Sequence, residues 1–172
     1  LQSGEEIEAS VVLASTDAKV TFLDLLEPGT LPADFEQEVR RFKFRGSSGK
    51  VNLAVDRLPD FTCLPCEGEH LRGAISFSPS TREMEQAYDD AKYGQVSRNP
   101  YIDIIIPSMI GPDMAPPGKH VMSCFVQYAP YDIEGGWDDA RRDAFGETVI
   151  STIEKYAPNI RKAIVGMQVI SP

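Results

Sequence analysis

Cys63-Leu64-Pro65-Cys66 is a C-x-x-C pair, and His70 lies four residues beyond it. Thiolates and imidazoles bind zinc, but a structural zinc site wants four ligands. Cys124 or His120 would have to converge on the other three from distant parts of the chain. The pair could instead do thiol–disulfide chemistry, a role that wants it at a helix N-terminus after a strand. Here it sits inside a proline-rich loop. His120 stands where a second proline-rich loop enters a strand, a place from which it could act as general base or polar anchor. Its ordinary reading is a surface histidine beside Lys119. The chain has only 2 histidines, so triads and histidine-based metal centres have little material, and no metal site is expected. Gly46-Ser47-Ser48-Gly49-Lys50 is a P-loop only superficially. Phe44 replaces its first glycine, Val51 its Ser/Thr, and a strand follows where a helix is required. Neither G-x-G-x-x-G nor G-x-S-x-G occurs.

The elements that would position these residues can be read from periodicity. Gly4 to Leu13 reads as a turn leading into a strand. Ser15-Thr16-Asp17 offers caps for a helix carrying Val20, Leu23, Leu25 and Leu26, stopped at Pro28-Gly29. Pro32 fits the first turn of the next helix, whose apolar stripe is Phe35, Val39 and Phe42. Lys50 to Asp56 alternates, with Val51, Leu53 and Val55 on one face. Gly73 to Ser78 alternates likewise through Ile75 and Phe77. Ser80-Thr81-Arg82-Glu83 is a capping box that opens a helix over Thr81 to Tyr93, ended by Gly94. Tyr101 to Ile106 puts Ile102, Ile104 and Ile106 on one side. Val121 to Ala129 puts Met122, Cys124, Val126 and Tyr128 on one side. The longest helix is expected over Trp137 to Tyr156, burying Ala140, Ala144, Val149, Ile153 and Tyr156, with Pro158 beyond it. Ala163 to Ile170 is almost continuously apolar and is expected to be a central strand.

These elements lack strict βαβ alternation, so the expected class is α+β: a mixed, largely antiparallel sheet with helices packed on one face. The other face carries Asn52, Ser76, Asp103, Ser123, Phe125 and Gln127, and no helix is in evidence to cover it. Both ends of the chain lie beside strands rather than in polar tails. The expectation is a single domain over 1–172, excised from a longer protein.

Composition excludes several classes. The 172 residues carry 17 Lys+Arg against 26 Asp+Glu, a net charge of −9. Without clustered cations, nucleic acid is not the expected partner. The densest basic stretch, Arg40, Arg41, Lys43 and Arg45, reads as the solvated end of a helix. Hydrophobic residues make up 42%, too many for a disordered chain. No apolar run approaches the ~20 residues that span a bilayer. Glu5, Glu6 and Glu8 occupy the place of a signal peptide's basic region. With 3 cysteines and no secretion signal, a reducing compartment is expected. That means the cytoplasm in a bacterium, with the mitochondrion open to it in a eukaryote.

Several stretches carry a resemblance. They include Gly4-Glu5-Glu6-Ile7, Thr21-Phe22-Leu23, Leu31-Pro32, Lys50-Val51-Asn52-Leu53-Ala54 and Ile106-Pro107-Ser108. The most specific runs from Ala115-Pro116-Pro117-Gly118-Lys119-His120 through Phe125-Val126-Gln127-Tyr128-Ala129-Pro130-Tyr131, with Gly136-Trp137-Asp138 and Tyr156-Ala157-Pro158-Asn159 after it. Taken together, the whole chain resembles the middle of FAD-dependent oxidoreductases of the phytoene desaturase and amine oxidase type. Its nearest branch is the phytoene dehydrogenase-related one, with its pyridine nucleotide-disulfide oxidoreductase domain-containing members.

The resemblance implies a two-domain flavoprotein in which this chain is the substrate-binding domain. Hydride would pass from an apolar small-molecule substrate to FAD. FAD would be held by a domain missing here, with no cofactor bound by this fragment and no activity from it alone. Residues 1–30 would lie at the junction with that domain. Asn52, Ser76, Phe125 and Gln127, with His120 and Tyr131 at the strand ends, are the expected substrate lining; no catalytic residue is assigned. An uncovered apolar patch could pair two fragments in a non-native dimer. The rival reading is a non-enzymatic binding module whose polar sheet face meets a ligand or protein.

Overall fold

A computed structural model describes residues 3–43 and 47–172. Phe44 and Gly46 of the P-loop-like stretch, and Arg45 of the basic one, lie outside the described residues, as do Leu1 and Gln2. The chain divides into two compact units, Leu1–Phe44 and Arg45–Pro172.

In the first unit, residues 5–15 form no strand, contrary to the β-branched pattern. A strand persists only on a neighbour's ladder of hydrogen bonds, and no described residue supplies one. Asp17 does cap the helical turn after it: its Oδ1 accepts the N–H groups of Lys19 and Val20 at 2.8 and 3.1 Å. The expected helix is a π-helical turn over Val20–Asp24. Helix α1 spans Ala33–Arg41, with Pro32 as its N-cap and Asp34 and Glu36 in the first turn. Phe22 and Phe35 meet edge to face at 5.2 Å.

The second unit is built on one sheet. Its strands are β1 (Ser48–Val55), β2 (Ile75–Phe77), β3 (Tyr101–Ile105), β4 (His120–Gln127) and β5 (Ile164–Ile170). Helix α2 (Thr81–Lys92) joins β2 to β3, and α3 (Asp139–Glu154) and α4 (Ile160–Ala163) lie between β4 and β5. The order is β2-β3-β4-β1-β5, and every pairing is antiparallel. The architecture is α+β, as the mixed pattern of elements implied.

The capping box works as read: Ser80 Oγ accepts the Glu83 N–H at 3.2 Å. Gly94 closes α2 with φ at +75°, where a side chain would be strained. Asp138 caps α3 by accepting the Arg141 N–H at 2.8 Å.

One sheet face is sealed. Val51, Leu53, Val55, Ile102, Ile104, Met122, Cys124 and Val126 are buried under Phe145, Val149 and Ile153 of α3, with Ile160 of α4 and Phe61 and Leu71 of the connecting loop. Two glycines set how close α3 comes. A Cβ on Gly49 would stand 2.6 Å from the Phe145 ring, and one on Gly146 would stand 2.8 Å from Val169. Asn159 ties α4 to the loop after β1, accepting the Asp60 N–H at 2.8 Å and donating to the Leu58 carbonyl at 2.9 Å.

Three expectations fail here. Ala140 and Ala144 are exposed, because Phe145 and Gly146 turn that part of α3 to the sheet. Tyr128 is not on β4, which ends at Gln127; it is half-buried against Tyr88 of α2, with ring centroids 5.3 Å apart. β5 is an edge strand rather than a central one, and Val165 is 61% exposed on it. No helix among the described residues is long and apolar enough to cross a membrane.

Candidate functional site

The opposite face of the sheet can be read row by row from the register. Residues directly opposite on antiparallel strands share a face, with Cβ atoms about 5 Å apart. One row crosses all five strands: Ser76, Asp103, Phe125, Lys50 and Ile170. The next row is Ile105, Ser123, Asn52 and Gln168, and another is Tyr101, Gln127 and Ser48. None of these residues is buried. Phe125 at 43%, Ile105 at 49% and Ile170 at 44% exposure leave apolar surface in the midst of polar groups.

The polar groups form two short networks around that surface. Asn52 Nδ2 donates to Gln168 Oε1 at 3.1 Å, and Ser123 Oγ donates to Asn52 Oδ1 at 3.3 Å. Tyr101 OH donates to Asp103 Oδ1 at 2.8 Å, and Ser76 Oγ donates to the same oxygen. Both hydroxyls converge on Oδ1, so Oδ2 keeps its acceptor capacity. Across the row, Asp103 and Lys50, residues of opposite charge, stand on the strands to either side of Phe125. An apolar platform bordered by fixed donors and acceptors orients a ligand that is apolar in its middle and polar at its ends.

The structure thus brings Asn52, Ser76, Phe125 and Gln127 onto one face. Two of the expected lining residues fall elsewhere. His120 sits opposite Val55, on the parity of the sealed face. Its Nδ1 lies 3.2 Å from Ser108 Oγ, which also accepts the Val121 N–H at 3.2 Å. No other side chain among the described residues bonds to His120, so the pair lacks the third group that orients a catalytic base. Tyr131 lies past the end of β4, at a cleft of about 400 Å³ shared with Tyr88, Tyr128 and Lys92.

The sequence reading missed Tyr101 and Gln168 as members of this surface. Tyr101 begins the alternation that carries Asp103. Gln168 is the one strongly polar side chain in β5, and a polar residue in an apolar run was the available signal.

The cysteines separate. Cys63 and Cys66 are exposed free thiols, whereas Cys124 is buried and its thiol is pushed up to about 12 by desolvation. No group of three or more His, Cys, Asp or Glu side chains among the described residues could hold a metal. The zinc set that would join Cys63, Cys66 and His70 to Cys124 or His120 therefore does not assemble. FAD's diphosphate wants a glycine-rich turn between a strand and a helix N-terminus. The connection between β2 and α2 is Ser78-Pro79-Ser80, with Glu83 in the first helical turn. It lacks glycine and carries a negative charge, so it does not fit a diphosphate.

No protein-family profile matches the chain. Curated proteins do match it. The chain is similar to an oxidoreductase-domain protein. It is 36% identical over 180 residues to pyridine nucleotide-disulfide oxidoreductase domain-containing protein 2 of Mus musculus. It is 37% identical over 180 residues to the protein of the same name from Rattus norvegicus. Each alignment takes in 100% of this chain and 31% of the relative, so the chain spans about a third of the length of the curated relatives it matches.

Proposed function

We propose that this chain is the substrate-binding part of a longer FAD-dependent oxidoreductase of the phytoene dehydrogenase-like type. The open sheet face meets the flavin-carrying remainder of the protein and lines the substrate cavity. One observation carries this reading: a five-stranded sheet sealed on one side leaves Phe125, Ile105 and Ile170 uncovered on the other. The relatives' threefold greater length supplies the material to cover it. A flavin, when bound, supplies a two-electron acceptor for C–H oxidation. This chain's own residues do the rest. Phe125 and Ile105 give an apolar bed that excludes water. The Asn52–Ser123–Gln168 and Ser76–Tyr101–Asp103 networks fix polar ends of an otherwise apolar substrate.

The test compares Phe125→Arg in this chain and in the full-length protein. The isolated chain should keep its melting temperature, since the side chain already meets water. The full-length variant should release flavin at a lower temperature than wild type, read by flavin fluorescence. A full-length protein without flavin would remove the cofactor from the proposal. Identical flavin release in variant and wild type would remove the open face from it.

A further inference from the structure

The loop between β1 and β2 carries two thiols that neither the sealed core nor the open face uses. Cys63 and Cys66 are exposed and free, and no metal-binding group of side chains among the described residues claims them. The loop that presents them is pinned rather than loose. Thr62 donates its N–H to the Tyr156 carbonyl at 2.9 Å, and Asp60 donates its N–H to Asn159 Oδ1 at 2.8 Å. Beyond these anchors the chain folds back twice. The Leu64 N–H reaches the Phe61 carbonyl at 3.0 Å, and the Cys66 N–H reaches Asp60 Oδ1 at 3.1 Å. Pro65, between the two cysteines, fixes one more backbone angle.

Cys66 has φ at +75°, and it is the one non-glycine residue with positive φ among those described. A side-chain-bearing residue holds that conformation where its surroundings over-determine it, and such residues cluster at functional positions. A disulfide requires Cα atoms about 4.4–6.8 Å apart, and residues three apart reach about 10 Å only in extended chain. The two back-folds keep this stretch short of extension. We propose that Cys63 and Cys66 form a site of reversible oxidation by low-molecular-weight disulfides. The thiolate of one cysteine attacks a sulfur of the small disulfide, forming a mixed disulfide and releasing one small thiolate. The thiolate of the other cysteine attacks the protein sulfur of that bond and releases the second. The two thiol protons end on the released thiolates, so the protein gives up two electrons and two protons and the small disulfide becomes two thiols. No flavin and no residue of the open face takes part, so this site does not rest on the reading above.

The test separates the folded loop from the bare motif, since any C-x-x-C can close in an unfolded chain. The 172-residue chain is equilibrated with reduced and oxidised glutathione, native and in urea, then quenched in acid and mapped by peptide mass. Native protein should form one internal Cys63–Cys66 bond, carry no bound glutathione and keep buried Cys124 as a thiol. A pinned loop raises the effective concentration of one thiol at the other, so the equilibrium constant for that bond should be about tenfold or more greater in the native chain than in urea. Cys66→Ser should stop at a stable glutathione adduct on Cys63. Asp60→Ala removes the acceptor of the Cys66 N–H and keeps the Asp60 backbone bond to Asn159, so it should lose most of the native advantage with both thiols still present. Glutathione adducts on both cysteines without an internal bond, or a bond between two chains, would overturn the proposal. So would equal constants in native and unfolded protein, or a native advantage that Asp60→Ala leaves whole.

Discussion

Gly49→Ala should destabilise the second unit although alanine suits a strand better than glycine. The new Cβ would lie 2.6 and 2.7 Å from two ring carbons of Phe145 and 3.2 Å from the Ile170 carbonyl. The ring has little room to retreat. Phe145 is 1% exposed, and Trp137 packs against it edge to face at 5.7 Å. The indole is itself held, its Nε1–H donating to the Pro130 carbonyl at 3.0 Å. Forcing a methyl into a filled core costs about 1–3 kcal/mol. Removing glycine's freedom in the unfolded chain returns about 0.4–1 kcal/mol. The net loss is then about 1–2 kcal/mol, or roughly 4–8 °C in melting temperature for a unit of this size. Gly166→Ala is the control, since its Cβ would sit 3.7 Å from Ala54 Cβ, an ordinary contact. It should be neutral or slightly stabilising. Phe145→Leu removes the clashing ring carbons, so the double variant with Gly49→Ala should be more stable than the sum of the single losses by about 1 kcal/mol or more. Calorimetry of the four proteins decides it. An unchanged melting temperature for Gly49→Ala, or strict additivity with Phe145→Leu, would refute the packing of α3 on β1.

Two further outcomes rest on the side-chain environments. Native protein should react with a thiol reagent at Cys63 and Cys66, which are exposed, but not at Cys124, whose thiol is held up to about 12; a colorimetric thiol count should rise by one in guanidinium. Arg161 donates to Glu147 at 2.6 and 3.0 Å, and with the Ser151 hydroxyl it holds that carboxyl below the usual carboxylate range. That contribution is present above the unfolded carboxylate's pKa, about 4.3, and is lost as pH falls through the lower folded value. Glu147→Gln should therefore lower stability near neutrality and flatten its decline in acid, measured by urea unfolding across pH.

The two-faced character of the strands was legible because the period of a strand is two. Asn52, Ser76, Phe125 and Gln127 fall together on that count alone, whatever the strand order. Order was not legible in β5. A run such as Ile164 to Ile170 reads as buried on both faces, yet it pairs only with β1 and leaves Val165 in water. Apolar character reports a preference for burial, not the presence of a cover. Helix α3 misled for another reason: its contact surface is made by a large ring and a glycine, Phe145 beside Gly146, which break the smooth stripe that Ala140 and Ala144 suggested. His120 was placed by its neighbourhood rather than its parity; counting from Met122 and Cys124 puts it on the sealed side.

Hydroxyl-radical footprinting of the open face, in this chain and in the full-length protein, tests the proposed role most directly. Phe125 and Ile105 should be oxidised readily in the 172-residue chain and strongly protected in the longer one, while exposed Val165 on the β5 edge serves as the reference. Equal oxidation of Phe125 and Ile105 in both proteins would mean that nothing covers this face, and the substrate-domain reading would fall.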